Sequence, residues 1–505
     1  MGVEGNQPGT VKVEAYVGGD LSKETNWWGA FVVGLAGTIL VTGVTGPVLA
    51  GLGSAAIPNF FFWTVTGGLM CMILAEMAAM LPERTGGAPA YAYFAFKDRL
   101  PRLFPHINGV TLWMYWLGWM PVMAVNNILT AAYLPALFGF HDHTAVMANL
   151  FGTPVTIFTF LFGAVLSVVL FIPAYLGIKF GAATATVLGL LSMIPLTFMA
   201  ILPFFKPATL HAANLWPLHT PDGAALFSGH GLFLSLQFSA LLTWNVIAME
   251  AAACYIGECR NPKRDAPMAM NLEAGYGVFI YTVLPLVVLG VVGLKGVTAN
   301  AAAPVSLFST FAGKVAHIPG IDKLVSIALV IALALSSLNA IMGCARSVYQ
   351  MALDGQFPRI FAHVNRHNVP DIAMGLNVVM NVFLVLLGTP GTIYVYSNVG
   401  YVGSFVPVML GYYFLRRWRP ELERPYRLPE FFKYIALFLA LMFFVAWAIG
   451  IPACVIKGCQ AGGIKAFFIG IAVVLTYFPL YWWRKAQDRR LGTTDVKATA
   501  RAAGP

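Results

Sequence analysis

The chain has 505 residues, of which 58% are hydrophobic and only 10% charged, with a mean hydropathy of +0.74. That balance excludes a soluble globular domain as the body of the protein and points to a polytopic membrane protein. The formal charge of +10 raises nucleic acid as a partner, but the basic residues sit where membrane topology and anionic inner-leaflet lipid account for them, so no nucleic-acid partner is expected.

Residues 1–26 are polar, carry both signs of charge and run into a full-length apolar stretch; they read as a cytoplasmic tail rather than a cleavable signal. A crossing of a ~30 Å hydrocarbon core takes ~20 apolar residues, and lipid offers backbone groups no partners, so each crossing is expected to be helical. Twelve such runs follow, near 28–52, 58–81, 107–138, 152–175, 181–205, 231–257, 272–293, 321–345, 373–389, 393–415, 432–456 and 464–483. The spacing predicts an all-α membrane protein of 12 transmembrane helices, with a first five-helix unit over 27–205, a second over 231–415, helices 11 and 12 over 432–484, and a C-terminal cytoplasmic tail over 485–505. With the N-terminus inside, only Lys206, Lys295, Lys314, Lys323, Lys457 and Lys465 of the 31 Lys and Arg fall outside the cytoplasmic segments. This positive-inside asymmetry predicts both termini in the cytoplasm, in a plasma or bacterial inner membrane.

Two spans read as poor continuous helices. Span 1 carries Thr42, Gly43, Thr45, Gly46 and Pro47 at mid-membrane, where glycine tolerates non-helical angles and proline removes a donor, so a break is expected at about Thr42 to Gly46. In span 6, "TWNVIAMEAAACYIGE" places Thr243, Trp244 and Asn245 a turn or so before Glu250. Breaks in spans 1 and 6, five helices apart, are the signature of an inverted repeat with the substrate between the broken helices. Helix N-termini offer free N–H groups to an anion and C-termini free carbonyls to a cation; a zwitterionic α-amino acid needs both.

Glu250 is costly near mid-membrane, by ~3 kcal/mol or more, unless partnered, so it is a functional candidate, carrying or sensing a proton, or else a hydrogen-bonded tie between helices. Glu76 is expected in an ion pair with a loop arginine. Asn126, Asn127 and Asn398 line the cavity or bond between helices. Cys454 and Cys459 stand close enough in sequence for a disulfide at the outer end of span 11. There is no phosphate loop, no ligand spacing for a metal and no catalytic set on one membrane side, so neither an enzyme nor a cofactor is expected.

Four segments, "AEMAAMLPERTGGAPAYAY", "GECRNPKRDAP", "SSLNAIMGCARSVYQMALDGQFP" and "RPELERPYRLP", occur in the right order on the predicted cytoplasmic side, and in them the chain resembles the amino acid–polyamine–organocation (APC) transporter family. The paired glycines and aromatics of the first suggest a short helix lying at the interface. The resemblance implies a LeuT-like 5+5 inverted repeat with discontinuous helices 1 and 6, working by alternating access as an exchanger or proton-coupled carrier of amino acids, with polyamines or γ-aminobutyrate as the alternative cargo and a non-transporting receptor as the other class. It implies that Thr42, Gly43 and Val44 meet the substrate carboxylate, that the carbonyls of Ile39, Trp244 and Ile247 take its ammonium, that Trp244 closes over it, and that Glu250 serves proton coupling or gating. Val41 and Ala248 stand where the family has glycine. Ser192 stands where sodium-independent relatives often place a lysine, which leaves a proton, or sodium bound among Leu40, Val41, Ser192, Ser336 and Ser337, as the co-ion.

Overall fold

The computed structural model describes residues 21–492, except 98, 151, 302–303, 389 and 455–462. Helices dominate, and among the described residues nine helical units are long and apolar enough to cross a membrane. The protein is an all-α integral membrane protein. The first unit, Trp27–Met80, is 54 residues long, more than twice the ~20 that one crossing takes. Of the cysteine pair at the end of span 11, Cys454 is buried and Cys459 lies outside the described residues.

In chain order the unit opens with α1 (Trp27–Thr38), started by the Asn26 side chain accepting from the Gly29 amide, and continues through α2 (Val41–Leu52) and α3 (Ala56–Met80). Next come α4 (Phe104–Trp119) and α5 (Val122–Phe138), then a small hairpin of β1 (Val146–Ala148) and β2 (Val155–Thr156). α6 (Ile157–Tyr175) and α7 (Ile178–Phe205) follow. α8 (Gly229–Val246), capped by Ser228, passes without a loop into a 3₁₀ helix, Ile247–Glu258. α9 (Pro262–Asn300), α10 (Pro304–Ala316), α11 (Ile321–Leu353), α12 (Asp371–Leu384) and α13 (Pro390–Trp418) complete the second stretch. The chain ends with α14 (Phe432–Val445), α15 (Gly463–Leu475) and α16 (Tyr477–Leu491).

The centre of the molecule is α1 packed along the 3₁₀ helix, flanked by α3, α9 and α11. At the perimeter, α6, α7, α14 and α15 leave large apolar side chains such as Val165, Ile194, Phe198, Tyr434 and Phe468 exposed, as a lipid-facing surface requires. α1 and the 3₁₀ helix touch at backbone distance. A Cβ added at Gly37 would lie 2.1 Å from the Ala248 carbonyl oxygen, and one at Gly34 would lie 2.6 Å from the Ala252 amide nitrogen. Small residues of this kind let helix backbones approach inside a membrane.

Three expectations need correction. The interruption of span 1 falls at Ile39 and Leu40, not at Thr42 to Gly46, which are helical residues of α2. Ile39 and Leu40 keep right-handed helical dihedrals (φ −68° and −66°) and change mainly in ψ, so the turn tightens without needing glycine. Pro47 sits inside α2 and withholds only the donor that would meet Gly43. In span 6 the change comes after the Thr243–Asn245 triplet, and it is a rewinding to 3₁₀ geometry rather than an unwound gap. Finally, the loop after α3 does not lie at the interface: its single turns Ala88–Tyr91 and Tyr93–Phe96 are mostly buried, and the Tyr91 hydroxyl donates to the Ala253 carbonyl at 2.6 Å.

Replacing Gly37 with valine forces a side chain into the Ala248 backbone. Overpacking typically costs about 1–3 kcal/mol, and a backbone obstacle puts this variant at or beyond the upper end. The expected result is a clear drop in melting temperature and monodispersity of purified protein; an unchanged melting curve would contradict the packing described.

Candidate functional site

The interruption of span 1 places two helix ends side by side. At the end of α1 the Leu40 amide reaches the Gly37 carbonyl at 3.4 Å, and the Gly43 amide donates to the Leu40 carbonyl at 3.0 Å. The first amides of α2 left without an intrahelical acceptor are therefore those of Val41 and Thr42. The Gly43 amide is already engaged, and Val44 lies in the core. Opposite, α8 ends at Val246, and the Ile247 amide donates to the Thr243 carbonyl. Tyr281 of α9 ties the two ends together, its hydroxyl lying 3.1 Å from the Gly37 carbonyl and 3.1 Å from the Asn245 carbonyl.

Two small spaces flank this junction. One, too tight to admit a water molecule, is lined by Leu40, Gly118, Trp119, Val122, Trp244, Ala248 and Tyr401. The Trp244 indole N–H there is buried without a partner, and its ring packs edge-on against Tyr394, centroids 4.4 Å apart. A Cβ at Gly43 would meet only the Tyr394 hydroxyl, at 3.9 Å, so Gly43 faces the same side. The other space, of about 20 Å³, holds Ile39, Thr42 and Ser192 among apolar residues of α7, α10 and α11. A larger groove between α4, α12, α13 and α15, lined by Trp116, Met380, Leu384 and Val473 among others, has no charged side chain.

Glu250 lies behind Trp119 and Tyr401, two residues that line the first space. Its carboxylate has no exposed surface and accepts from the Tyr115 hydroxyl at 2.9 and 3.1 Å, the Trp119 indole at 3.1 Å and the Tyr401 hydroxyl at 2.9 Å. No cation pairs with it among the described residues. These donors come from α4 and α13, so the carboxylate bolts the 3₁₀ helix to both neighbours.

The other predicted residues divide by what they touch. The Asn126 amide donates to the Leu333 carbonyl, Asn127 to the Gly163 carbonyl and the Ser167 hydroxyl, and Asn398 to the Ala240 carbonyl; these asparagines tie helices together, and none lines either space. Ser192 donates to the Leu188 carbonyl of its own helix at 2.7 Å. Ser336 and Ser337, on α11, keep buried hydroxyls without a partner and line neither space. Ile247 is fully buried and lines neither space.

A family model described as "Amino acid permease" matches residues 26–479. The chain belongs to the amino acid permease family. Among curated proteins it is 23% identical over 443 residues to an uncharacterized amino acid permease of Bacillus subtilis, covering 84% of this chain and 92% of that one. It is 25% identical to the cadaverine/lysine antiporter of Escherichia coli K12, over 68% of this chain and 69% of the antiporter. It is 24% identical to the branched-chain amino acid permease of Bacillus subtilis, over 79% and 83%.

In this permease the four motif segments assemble one closure at the end of the bundle that carries the basic loops. Glu76 is gripped by Arg416 and approached by Arg424 at 3.3 Å, while the Tyr412 hydroxyl and the Leu428 amide donate to it at 3.0 and 2.9 Å. Arg346 holds Glu258 in a fully buried pair, and Arg84 holds Asp354 at 2.7 Å. The ion pair expected for Glu76 is thus present, with one arginine from the end of α13 and one from the loop. Sequence reasoning missed Tyr115, Trp119, Tyr281 and Tyr401, whose only signal is an aromatic side chain with a polar tip inside an apolar run.

Arg346→Ala leaves Glu258 buried and unpaired, which costs roughly 3–5 kcal/mol; Glu258→Gln combined with Arg346→Met removes both charges and is expected to recover most of that. Thermal unfolding of the two proteins distinguishes the cases, and equal destabilisation would remove the pair from the account of stability.

Proposed function

We propose that this permease is a secondary carrier that moves amino acids by alternating access, holding the substrate between the ends of α1, α2 and α8. The observation that carries this reading is the junction itself: helix ends paired back to back in the middle of the apolar layer, with a tryptophan and a carboxylate beside them. Amides of Val41 and Thr42 suit a carboxylate, and the carbonyls at the ends of α1 and α8 suit an ammonium. Leu40, Val122 and Ala248 offer an apolar wall to the side chain, which favours a neutral amino acid. A diamine would need a second free carboxylate, and Glu250 already spends its oxygens on three donors.

The nine long units support twelve crossings when Trp27–Met80 crosses twice and Asp371–Leu387 and Pro390–Trp418 once each. In this reading the interruptions occupy spans 1 and 6 of a LeuT-like inverted repeat. The basic loops lie in the cytoplasm, with both termini, in the plasma membrane. Glu250 then locks the cytoplasmic side, and its protonation loosens the lock by removing the charge that three donors satisfy. The carrier works as an exchanger or with a proton as co-ion. The unpartnered hydroxyls of Ser336 and Ser337 favour sodium as a second co-ion reading, which replacement of sodium by choline tests directly.

Counterflow into proteoliposomes with labelled amino acids, γ-aminobutyrate and polyamines is the test. Saturable uptake of neutral amino acids is expected; uptake of polyamines alone, or binding without uptake, overturns the reading. Gly43→Val should fold, because its side chain meets little, yet should reduce substrate binding by an order of magnitude or more by filling the space before Tyr394, a loss of about 1.4 kcal/mol or greater. Glu250→Gln should still bind substrate while the pH profile of its counterflow rate is displaced from that of the wild type.

A further inference from the structure

Among the described residues the glutamates with no exposed surface are Glu76, Glu250, Glu258 and Glu273. Arginines hold Glu76 and Glu258, and three hydroxyl or indole donors hold Glu250. Glu273, on α9, has neither kind of support. Its Oε2 accepts one hydrogen bond, from the Ala252 amide at 3.3 Å, and its Oε1 has no partner. No cation pairs with it among the described residues. An ionised carboxylate so placed is far costlier than the neutral acid.

We propose that Glu273 is a proton-binding site, occupied in the closed arrangement described here, that gives up its proton when α1 and the 3₁₀ helix separate. The geometry that carries this is the seam. A Cβ at Gly34 would lie 2.5 Å from Glu273 Oε2 and 2.6 Å from the Ala252 nitrogen, so the carboxyl group fills the point where α1, α9 and the 3₁₀ helix meet. Widening that seam brings the group donors or water, and closing it expels them. Glu250 and Ala252 are two residues apart, and at 3.0 residues per turn their side chains leave the 3₁₀ helix in different directions. The carboxyl groups therefore reach one segment from separate sides, Glu250 toward α4 and α13 and Glu273 from α9.

The titratable groups on the packed elements are few. α1 and α2 have none. α3 offers Cys71, and Glu76 engaged by Arg416; the 3₁₀ helix offers Glu250, Cys254, Tyr255, and Glu258 engaged by Arg346. α7 has only Lys179, in its first turn, and α10 only Lys314. α9 itself adds Lys263, Arg264, Asp265, Tyr276, Tyr281 and Lys295. Of these, Glu250 is the group whose charge bears on Glu273 most directly.

The inference extends the carrier reading by giving its cycle a second titrating carboxyl. Infrared difference spectroscopy of the full-length protein in lipid, titrated from acid to alkaline pH, reads the protonated-carboxyl band without depending on transport. A component of that band is expected to vanish in Glu273→Gln and to persist in Glu250→Gln, and the pH profile of counterflow should shift in each single variant and flatten in the double. A band unchanged in Glu273→Gln overturns the proposal even if transport proceeds. A carboxylate with a merely structural role would lower the melting temperature in Glu273→Gln and leave band and profile unmoved. If the glutamine variant is not recovered, Glu273→Asp keeps the acid, and a displaced component of the same band identifies it; an undisplaced one counts against it. Should wild-type protein fail to carry any amino acid, the carrier reading falls while the infrared result still decides the state of Glu273.

Discussion

At Gly37 and Gly34 the backbone of α1 rests directly on the backbone of the 3₁₀ helix, and the centre of the permease is arranged around that contact. A thicker partner could not come so close. It brings the end of α1 beside the end of α8, where Tyr281 can hold a carbonyl from each. Polar groups that a continuous helix would consume become available in one place, at a depth where lipid supplies nothing to satisfy them. A junction built from backbone groups tolerates side-chain change, so Val41 and Ala248 stand beside it without erasing it.

Charge is distributed by the same logic. At the basic end each buried glutamate has an arginine, and the pairs Glu76 with Arg416, Glu258 with Arg346 and Asp354 with Arg84 join α3, α11, α13, the 3₁₀ helix and the loop after α3 into one plug. Deeper in, Glu250 has only neutral donors and Glu273 nearly none. Pairs with arginine are costly to break and hold an arrangement in place. Carboxyl groups without a cation can change their proton and with it their neighbours, so the groups suited to switching lie next to the junction and the groups suited to locking lie beyond it.

The apolar runs, the fragility of spans 1 and 6, the pairing of Glu76 and the weight on Glu250 were legible in the sequence, because hydropathy and the cost of a buried charge are properties of single stretches. The position of the first interruption was not, since Ile39 and Leu40 turn with ordinary dihedrals while Gly34 and Gly37, which look like filler, are needed for packing. The 3₁₀ helix was hidden for a related reason: Ile247–Glu258 contains Ala248, Ala251, Ala252 and Ala253, strong α-helix formers. Tertiary contact overrides that preference. Asn127 and Asn398 carry the same polar signal as a cavity residue, and only their partners on α6 and α8 reveal them as ties.

A 3₁₀ helix rises ~2.0 Å per residue and an α-helix 1.5 Å, so the 12 residues of Ile247–Glu258 extend roughly 6 Å further than an α-helix of the same sequence would. That extra reach lets one segment touch the junction at Ala248 and still deliver Glu258 to Arg346 at the basic end. Rewinding even part of it to α geometry would shorten the segment, strain the Glu258 pair and draw Glu250 out of its cage of tyrosines and tryptophan. A change of pitch in this one segment would therefore move its contact at Ala248 and its ion pair at Glu258 together, with Glu250 held between them by three donors.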